Sequence, residues 1–400
     1  MGKLKTYVIT FNGDRQVYNP GEVVSGLVIV DLAEPLQCRG VRVKFQGKAY
    51  THWTESEGSG DNRRTISYSA TKYYFNDEVT VWGKQVGDRS GENPTLPAGT
   101  HQFPYQLQLP MSGLANSFEG TVGYVRYTIK SNIDRPWKFD HTTKAAFTVT
   151  GIQVDLNRIP NAMLAQQDED EKTVCCLCCA SGPITMTASV DRSGYTPGEK
   201  IKVNVDVNNV SSRDILEMEV SLVQKVVYTA YRHGSGRAHH RHSKNKVSIL
   251  NGPGCQPNGT INWRDQYLPI PPIPASGLEG CEFIDIYYVV HCEADVSGTP
   301  FDLDVSIPVT IGNIPLQQLY GFDFSNVAYP PIPGGPAPSA PPPPLSDYPP
   351  AEAALPPPPS YEAIYSGQTS IKDDDDNDYT RGQLDFAPRY SYYNWDAHKT

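Results

Sequence analysis

The chain has 400 residues, enough for two ordinary domains and an appendage, each domain large enough to bury its own core, so a single small module is excluded. Hydrophobic residues make up 38% and charged residues 20%, but 35 prolines and 33 glycines are too many for a helical protein and suit a turn-rich all-β chain with a disordered extension. The net charge of −10, much of it in the runs Asp168 to Glu171 and Asp373 to Asp376, offers no broad basic face, so no nucleic-acid partner is expected.

Met1-Gly2-Lys3-Leu4-Lys5-Thr6 fits the loose pattern for myristoylation of Gly2, with Lys3 and Lys5 adding attraction to anionic lipid. Leu4 to Phe11 also reads as a first strand, and that reading is preferred. Tyr18-Asn19-Pro20-Gly21-Glu22 follows, a Pro-Gly turn feeding a β-branched run. Alternating apolar residues then mark strands at Val41, Val43 and Phe45 and at Phe103, Tyr105, Leu107 and Leu109. Gly120 to Asp134 adds another, with Val125, Tyr127 and Ile129 on one face.

Asn157 to Thr173 is polar and acidic, and its part from 161 to 173 is expected to be the hinge between residues 1–160 and 174–320. Cys175, Cys176, Cys178 and Cys179 come next, as two interleaved Cys-x-x-Cys pairs. A zinc ion would need two further ligand pairs that the scattered remaining cysteines do not supply, so no metal is assigned. The four are instead candidate sites of reversible S-acylation, like Gly2 a route to peripheral membrane association, with inert thiols at a domain boundary as the plainer alternative. Eight cysteines distributed in this way do not look like an oxidised framework.

Tyr195-Thr196-Pro197-Gly198-Glu199 repeats the earlier motif at a spacing of 177 residues. After it Ile201, Val203, Val205 and Val207 alternate with polar residues, the period of a strand with one wet and one buried face. Leu216 to Leu222 and Leu303 to Val309 alternate in the same way. Tyr231 to Lys246, rich in Lys, Arg and His, reads as a solvated loop, with phosphate or metal binding through His239, His240 and His242 as the alternative. Cys281 to Asp295 matches Gly120 to Asp134 at a spacing of 161, placing Ile286, Tyr288 and Val290 on the corresponding face. Duplication of a whole sandwich explains both offsets. Ile284 to Val290, the longest apolar stretch, is strand-length and far short of a membrane span, and no signal peptide precedes the first strand.

From about Gly321 the periodicity stops, and 15 of residues 330 to 359 are proline. Residues 321–400 are expected to form a mobile tail, since they offer little apolar surface to offset ordering entropy. Within it Pro358-Pro359-Ser360-Tyr361 is a PPxY tetrapeptide, the ligand shape of WW domains: the prolines hold a polyproline II backbone and Tyr361 supplies one aromatic anchor. No dinucleotide loop, phosphate loop or nucleophile elbow occurs, so no enzyme, catalytic residue or cofactor is expected.

Taken in order, the two Tyr-x-Pro-Gly-Glu openings, Gly47 to Trp53 after Val-Arg-Val-Lys-Phe, and Leu109-Pro110 leading to Ser117-Phe118-Glu119-Gly120 resemble an α-arrestin, an arrestin domain-containing protein. Val125-Arg126-Tyr127, Asp134-Arg135-Pro136-Trp137, Cys175 to Ile184 and the PPxY carry the same resemblance, which runs from about residue 5 to 320. It implies two tandem arrestin-type β-sandwiches of immunoglobulin-like form and an adaptor role. The sandwiches would engage cytosolic regions of membrane receptors or transporters, and the PPxY would recruit a Nedd4-type HECT ubiquitin ligase through its WW domains. The implied location is cytoplasmic, with recruitment to the plasma membrane and endosomes. The alternative is a ligase-independent trafficking scaffold whose tail is a spacer. This chain has one PPxY, because Tyr329 and Tyr348 precede their prolines, and it lacks a cysteine between Gly259 and Trp263, so thioredoxin binding is not carried over.

Overall fold

A computed structural model describes residues 3–60, 63–176, 179–232, 234–299, 302–317, 359–373 and 376–395, with the backbone alone for 174–176 and 179–181. In the first half the strands are β1 (Leu4–Phe11), β2 (Val17–Tyr18), β3 (Val23–Leu32), β4 (Leu36–Gln37), β5 (Gly40–Glu57), β6 (Arg64–Gly83), β7 (Thr95–Leu96), β8 (Gly99–Gln108), β9 (Phe118–Glu119), β10 (Gly123–Asp134) and β11 (His141–Val149). The second half holds β12 (Gln166–Cys176), β13 (Cys179–Val190), β14 (Gly194–Tyr195), β15 (Lys200–Asn209), β16 (Ile215–Arg232), β17 (Ala238–Gly252), β18 (Thr260–Pro269), β19 (Ile284–Val296) and β20 (Leu303–Ile311). Five short strands follow near the C-terminus: β21 (Ser360–Ala363), β22 (Thr369–Ser370), β23 (Thr380–Gly382), β24 (Asp385–Phe386) and β25 (Arg389–Tyr392).

Alternation makes the layers. In β15 Ile201, Val203, Val205 and Val207 are buried, while the polar residues between them stay in contact with water. In the first half the sheet β1-β3-β8 faces β5, β6, β10 and β11, the layers being joined by the buried Tyr7 hydroxyl donating to Ser131 Oγ at 2.8 Å and by Phe45 against Tyr105. In the second half β12-β13-β15-β18 faces β14-β20-β19-β16, with β17 paired to β16. Tyr231 and Arg232 of β16 pair with Ser69 and Tyr68 of β6, so one sheet and one apolar core run through both halves. Side chains add to the junction, Thr51 Oγ1 donating to the Thr229 carbonyl at 2.7 Å and the Tyr74 hydroxyl to that of Gly280 at 3.1 Å.

The duplicated motif occupies the same place twice. Tyr18 pairs in parallel with Val149 of β11, and Tyr195 in parallel with Ile311 of β20, the last strand of each sandwich. In both copies the motif glutamate accepts from a backbone N–H three residues earlier, Asn19 to Glu22 and Thr196 to Glu199, each at 2.7 Å. An arginine three residues before the tyrosine completes the lock: Arg15 lies over Tyr18 and pairs with Glu22, and Arg192 lies over Tyr195 and pairs with Glu199. The second offset also holds, since Tyr127 and Tyr288 stand at the same position of β10 and β19, and each donates to a carbonyl at 2.7 Å.

Three sequence expectations differ from the structure. The expected hinge is strand from Gln166, where edge strand β12 begins, and Ala162 before it is buried with Leu156 and Leu316. Glu169 and Glu171 accept from Thr187 and Thr185 directly across the ladder, and the acidic side chains project into solvent, where they blunt a sheet edge. Tyr231 to Lys246 is largely strand rather than loop, because its basic side chains stand on exposed faces while its backbone pairs with β16. The mobile-tail expectation does not hold for residues 359–373 and 376–395, which lie against both sandwiches. Among the described residues no helix is long and apolar enough to cross a membrane.

Candidate functional site

Tyr361 lies in β21, which pairs antiparallel with β25 so that Ser360, Tyr361, Glu362 and Ala363 oppose Tyr392, Ser391, Tyr390 and Arg389. Pro359 is exposed and Tyr361 half-buried, and Arg389 Nη1 donates to the Tyr361 carbonyl at 3.5 Å. Pro358 lies outside the described residues.

β25 is held by its aromatic residues. The buried Tyr390 hydroxyl donates to the Ser117 carbonyl at 3.1 Å, and that of Tyr393 to the Asn313 carbonyl at 2.7 Å. Tyr393 N–H donates to the Pro197 carbonyl at 3.0 Å, inside the second Tyr-x-Pro-Gly-Glu motif. There Gly198, at φ +97°, leaves no room for a side chain, since an added Cβ would stand 1.9 Å from the Tyr393 carbonyl oxygen. On the other side of β21 the Tyr365 ring packs on the core, and its hydroxyl accepts from Asn245.

Between these anchors the chain follows the outer edge of β11. β23 pairs in parallel with Thr142 to Lys144, and Ile371 and Phe386 bury against Ala146. Asp373 and Asp376 lie on a cationic cluster. Lys144 Nζ, whose side chain is 1% exposed, is 2.6 Å from both Asp373 Oδ2 and Asp376 Oδ2 and donates to the Ile371 carbonyl at 3.1 Å. Lys130 reaches Asp376 at 3.2 Å and Arg126 reaches Asp373 at 3.4 Å, while Arg126 is also paired bidentately with Glu119. Burial alone would push the Asp376 carboxyl up, but the hydrogen bonds from Lys144 and from the Asp373 backbone, with the charges of Lys144 and Lys130, outweigh it and hold it below the ordinary range.

The other sequence candidates lie elsewhere. Gly2 and Cys178 are outside the described residues. Cys175 and Cys176 end β12 and Cys179 begins β13, with Cys176 opposite Cys179 in register, and their side chains are not described. Cys38, Cys255, Cys281 and Cys292 are free thiols, and burial pushes Cys292 up to about 12 and Cys38 to about 11. His239 packs on Tyr68 while His240 meets Thr229, and among the described residues no three metal-ligating side chains converge.

Sequence reasoning missed the docking of 359–373 and 376–395. A signal was present: Tyr390, Tyr392, Tyr393 and Trp395 crowd six residues, with Ile371 and Phe386 upstream, an aromatic density that a solvated tail does not need. The Arg15 and Arg192 repeat, at the same 177-residue spacing, was equally legible.

Two sandwiches joined by a continuous sheet, each opened by the same Arg, Tyr and Glu lock, define the class of fold. The arrestin (or S-antigen) N-terminal domain profile matches residues 7–157, and the arrestin (or S-antigen) C-terminal domain profile matches residues 180–316. The chain belongs to the arrestin family. Within it, the chain is similar to arrestin domain-containing protein 17 of Caenorhabditis elegans, 35% identical over 80% of this chain and 73% of that protein. It is also similar to arrestin domain-containing protein 1 of Homo sapiens, at 30% identity over 86% of this chain and 72% of that protein. Arrestin domain-containing protein 4 of Mus musculus is 30% identical over 82% of this chain and 76% of its own length. These relatives place the chain among the α-arrestins, whose role is that of a trafficking adaptor rather than a catalyst.

Proposed function

We propose that this α-arrestin brings a Nedd4-type HECT ubiquitin ligase to membrane cargo such as receptors or transporters, promoting ubiquitination, endocytosis and endosomal sorting. The observation that carries the reading is the Pro358-Pro359-Ser360-Tyr361 tetrapeptide beside a chain that belongs to an adaptor family. Its mechanism is tethering: WW binding raises the effective concentration of ligase near cargo held by the sandwiches.

The pairing of Tyr361 adds a step. A WW groove takes polyproline II backbone with a free tyrosine ring, whereas β21 is a strand on β25. β21 must therefore peel away before the ligase engages. Ser360, Glu362 and Ala363 are exposed, so release loses one short ladder while Tyr390 and Tyr393 keep β25 in place.

Titration of ligase WW domains tests both points. The full chain is expected to bind about tenfold more weakly than a peptide spanning residues 354–366, the bound-competent fraction setting the difference. Tyr361→Ala is expected to weaken either ligand about thirtyfold or more, the loss typical of an aromatic anchor. Binding of Tyr361→Ala within about twofold of the parent would favour the ligase-independent scaffold with the tail as spacer. Equal affinity of chain and peptide would remove the peeling step and leave the ligase reading intact.

A further inference from the structure

The connection between β10 and β11 presents an unusual tip. Trp137 is 100% exposed and Phe139 70% exposed, with the exposed Lys138 between them. Trp137 sits at φ +63°, the left-handed region. The other described non-glycine residues with positive φ are Asp14, Asn161, Asn258 and Asp265, types that tolerate it, whereas a bulky aromatic residue does not. The backbone is thus held in a disfavoured conformation with the indole fully exposed among the described residues.

The tip is not loose. Asp140 accepts from Arg135 N–H at 2.8 Å and from Asn132 Nδ2 at 3.0 Å, and Arg135 Nε donates to the Phe139 carbonyl at 2.8 Å. The Phe139 ring stacks on Tyr379 of the docked segment with centroids 5.8 Å apart. The start of β1 shares this end of the sandwich: Ala33 N–H donates to the Lys3 carbonyl at 2.7 Å, and Arg39 N–H donates to the Asp134 carbonyl at 2.8 Å. Lys3 and Lys5, at the start of β1, are about half-exposed: Lys3 donates to the Pro35 carbonyl at 3.1 Å and lies 3.7 Å from Glu34, and Lys5 lies 3.9 Å from Asp31. Asp134 is occupied by Arg39 and Arg42, each at 2.8 Å.

We infer that this end of the N-terminal sandwich docks on an anionic lipid surface, Trp137 and Phe139 entering the interface while Lys138, Arg135, Lys3 and Lys5 face the headgroups. Indole and phenyl rings partition to the boundary between headgroups and acyl chains, and lysine and arginine beside them add electrostatic attraction that salt screens. A protein partner would call for a larger apolar patch with a polar rim, whereas two projecting rings among cations suit a fluid interface. The inference stands independently of the ligase reading and needs no acyl chain on Gly2 or the cysteines.

Flotation of the full chain with phosphatidylcholine vesicles, with and without phosphatidylserine, provides the test. Binding is expected to need phosphatidylserine, to fall with salt, and to drop about tenfold or more in Trp137→Ser/Phe139→Ser. The Trp137 side chain is fully exposed, so Trp137→Ser alone is expected to melt like the parent and still to weaken flotation, whereas the double variant also gives up the Phe139 stack on Tyr379; Trp137→Tyr is expected to retain binding. Lipids brominated near the headgroup are expected to quench tryptophan fluorescence in the parent and not in Trp137→Tyr. No flotation of the parent, or flotation of the double variant at the parent level, would overturn the inference, also if the tip then proved to bind a protein.

Discussion

Lys144 is the residue on which docking of the C-terminal segment turns. Its ammonium is buried beneath two carboxylates, one of them, Asp376, only 5% exposed. Removing one partner of a buried pair typically costs about 3–5 kcal/mol, because the other charge is left without compensation. Here the segment can let go, so the loss is capped by its docking free energy. Lys144→Met is thus expected to release 359–395, seen as new proteolytic cleavage within it and as WW affinity rising to that of the isolated peptide. The depressed Asp376 carboxyl sets the pH dependence. Its contribution is complete above the unfolded carboxylate value of about 3.9 and fades as pH falls through the lower folded value. Cleavage should be flat from neutral pH to about 5 and increase in stronger acid, measured with an acid-active protease.

At the scale of elements, the repeated lock shows how burial changes the value of one constellation. Arg15 and Glu22 side chains are 47% and 32% exposed, and Arg192 and Glu199 are 11% and 6% exposed. An exposed pair contributes about 0–1 kcal/mol, screened by water and salt. In the buried copy, deleting the arginine removes its 2.9 Å pair with Glu199, which also accepts from the Thr196 backbone N–H and hydroxyl. Arg192→Ala is expected to lose about 3 kcal/mol or more in urea unfolding and Arg15→Ala under about 1. Equal losses would show that the turn, and not burial, decides the matter. β12 makes the complementary point: a run of four acids remains strand because its backbone pairs with β13 while its side chains stay in water.

Across the whole molecule, the β6 and β16 pairing and the core shared by both sandwiches join two homologous halves into one body. The docked segment reinforces this by holding Ser117 of the first half through Tyr390 and Asn313 of the second through Tyr393. Scanning calorimetry is expected to give one cooperative transition, and two resolved transitions would mean that the shared layer is weaker than each separate core.

The sequence by itself determined what is local and periodic. Alternation at Ile201 to Val207 marked a strand because side-chain direction in extended chain has period two, and the paired Tyr-x-Pro-Gly-Glu turns marked a duplication because both must start the same chain path. The PPxY was legible for the same reason, its shape lying in four adjacent residues. Tertiary structure decided the rest. The acidic part of the edge strand, Asp168 to Glu171, pairs with Ala188 to Thr185, and the seat of Asp373 and Asp376 on Lys144 depends on a partner 229 and 232 residues away. Composition reads an acidic run as solvated; only the fold can supply a buried cation opposite Asp373 and Asp376, and only the fold can make Tyr361 part of a strand.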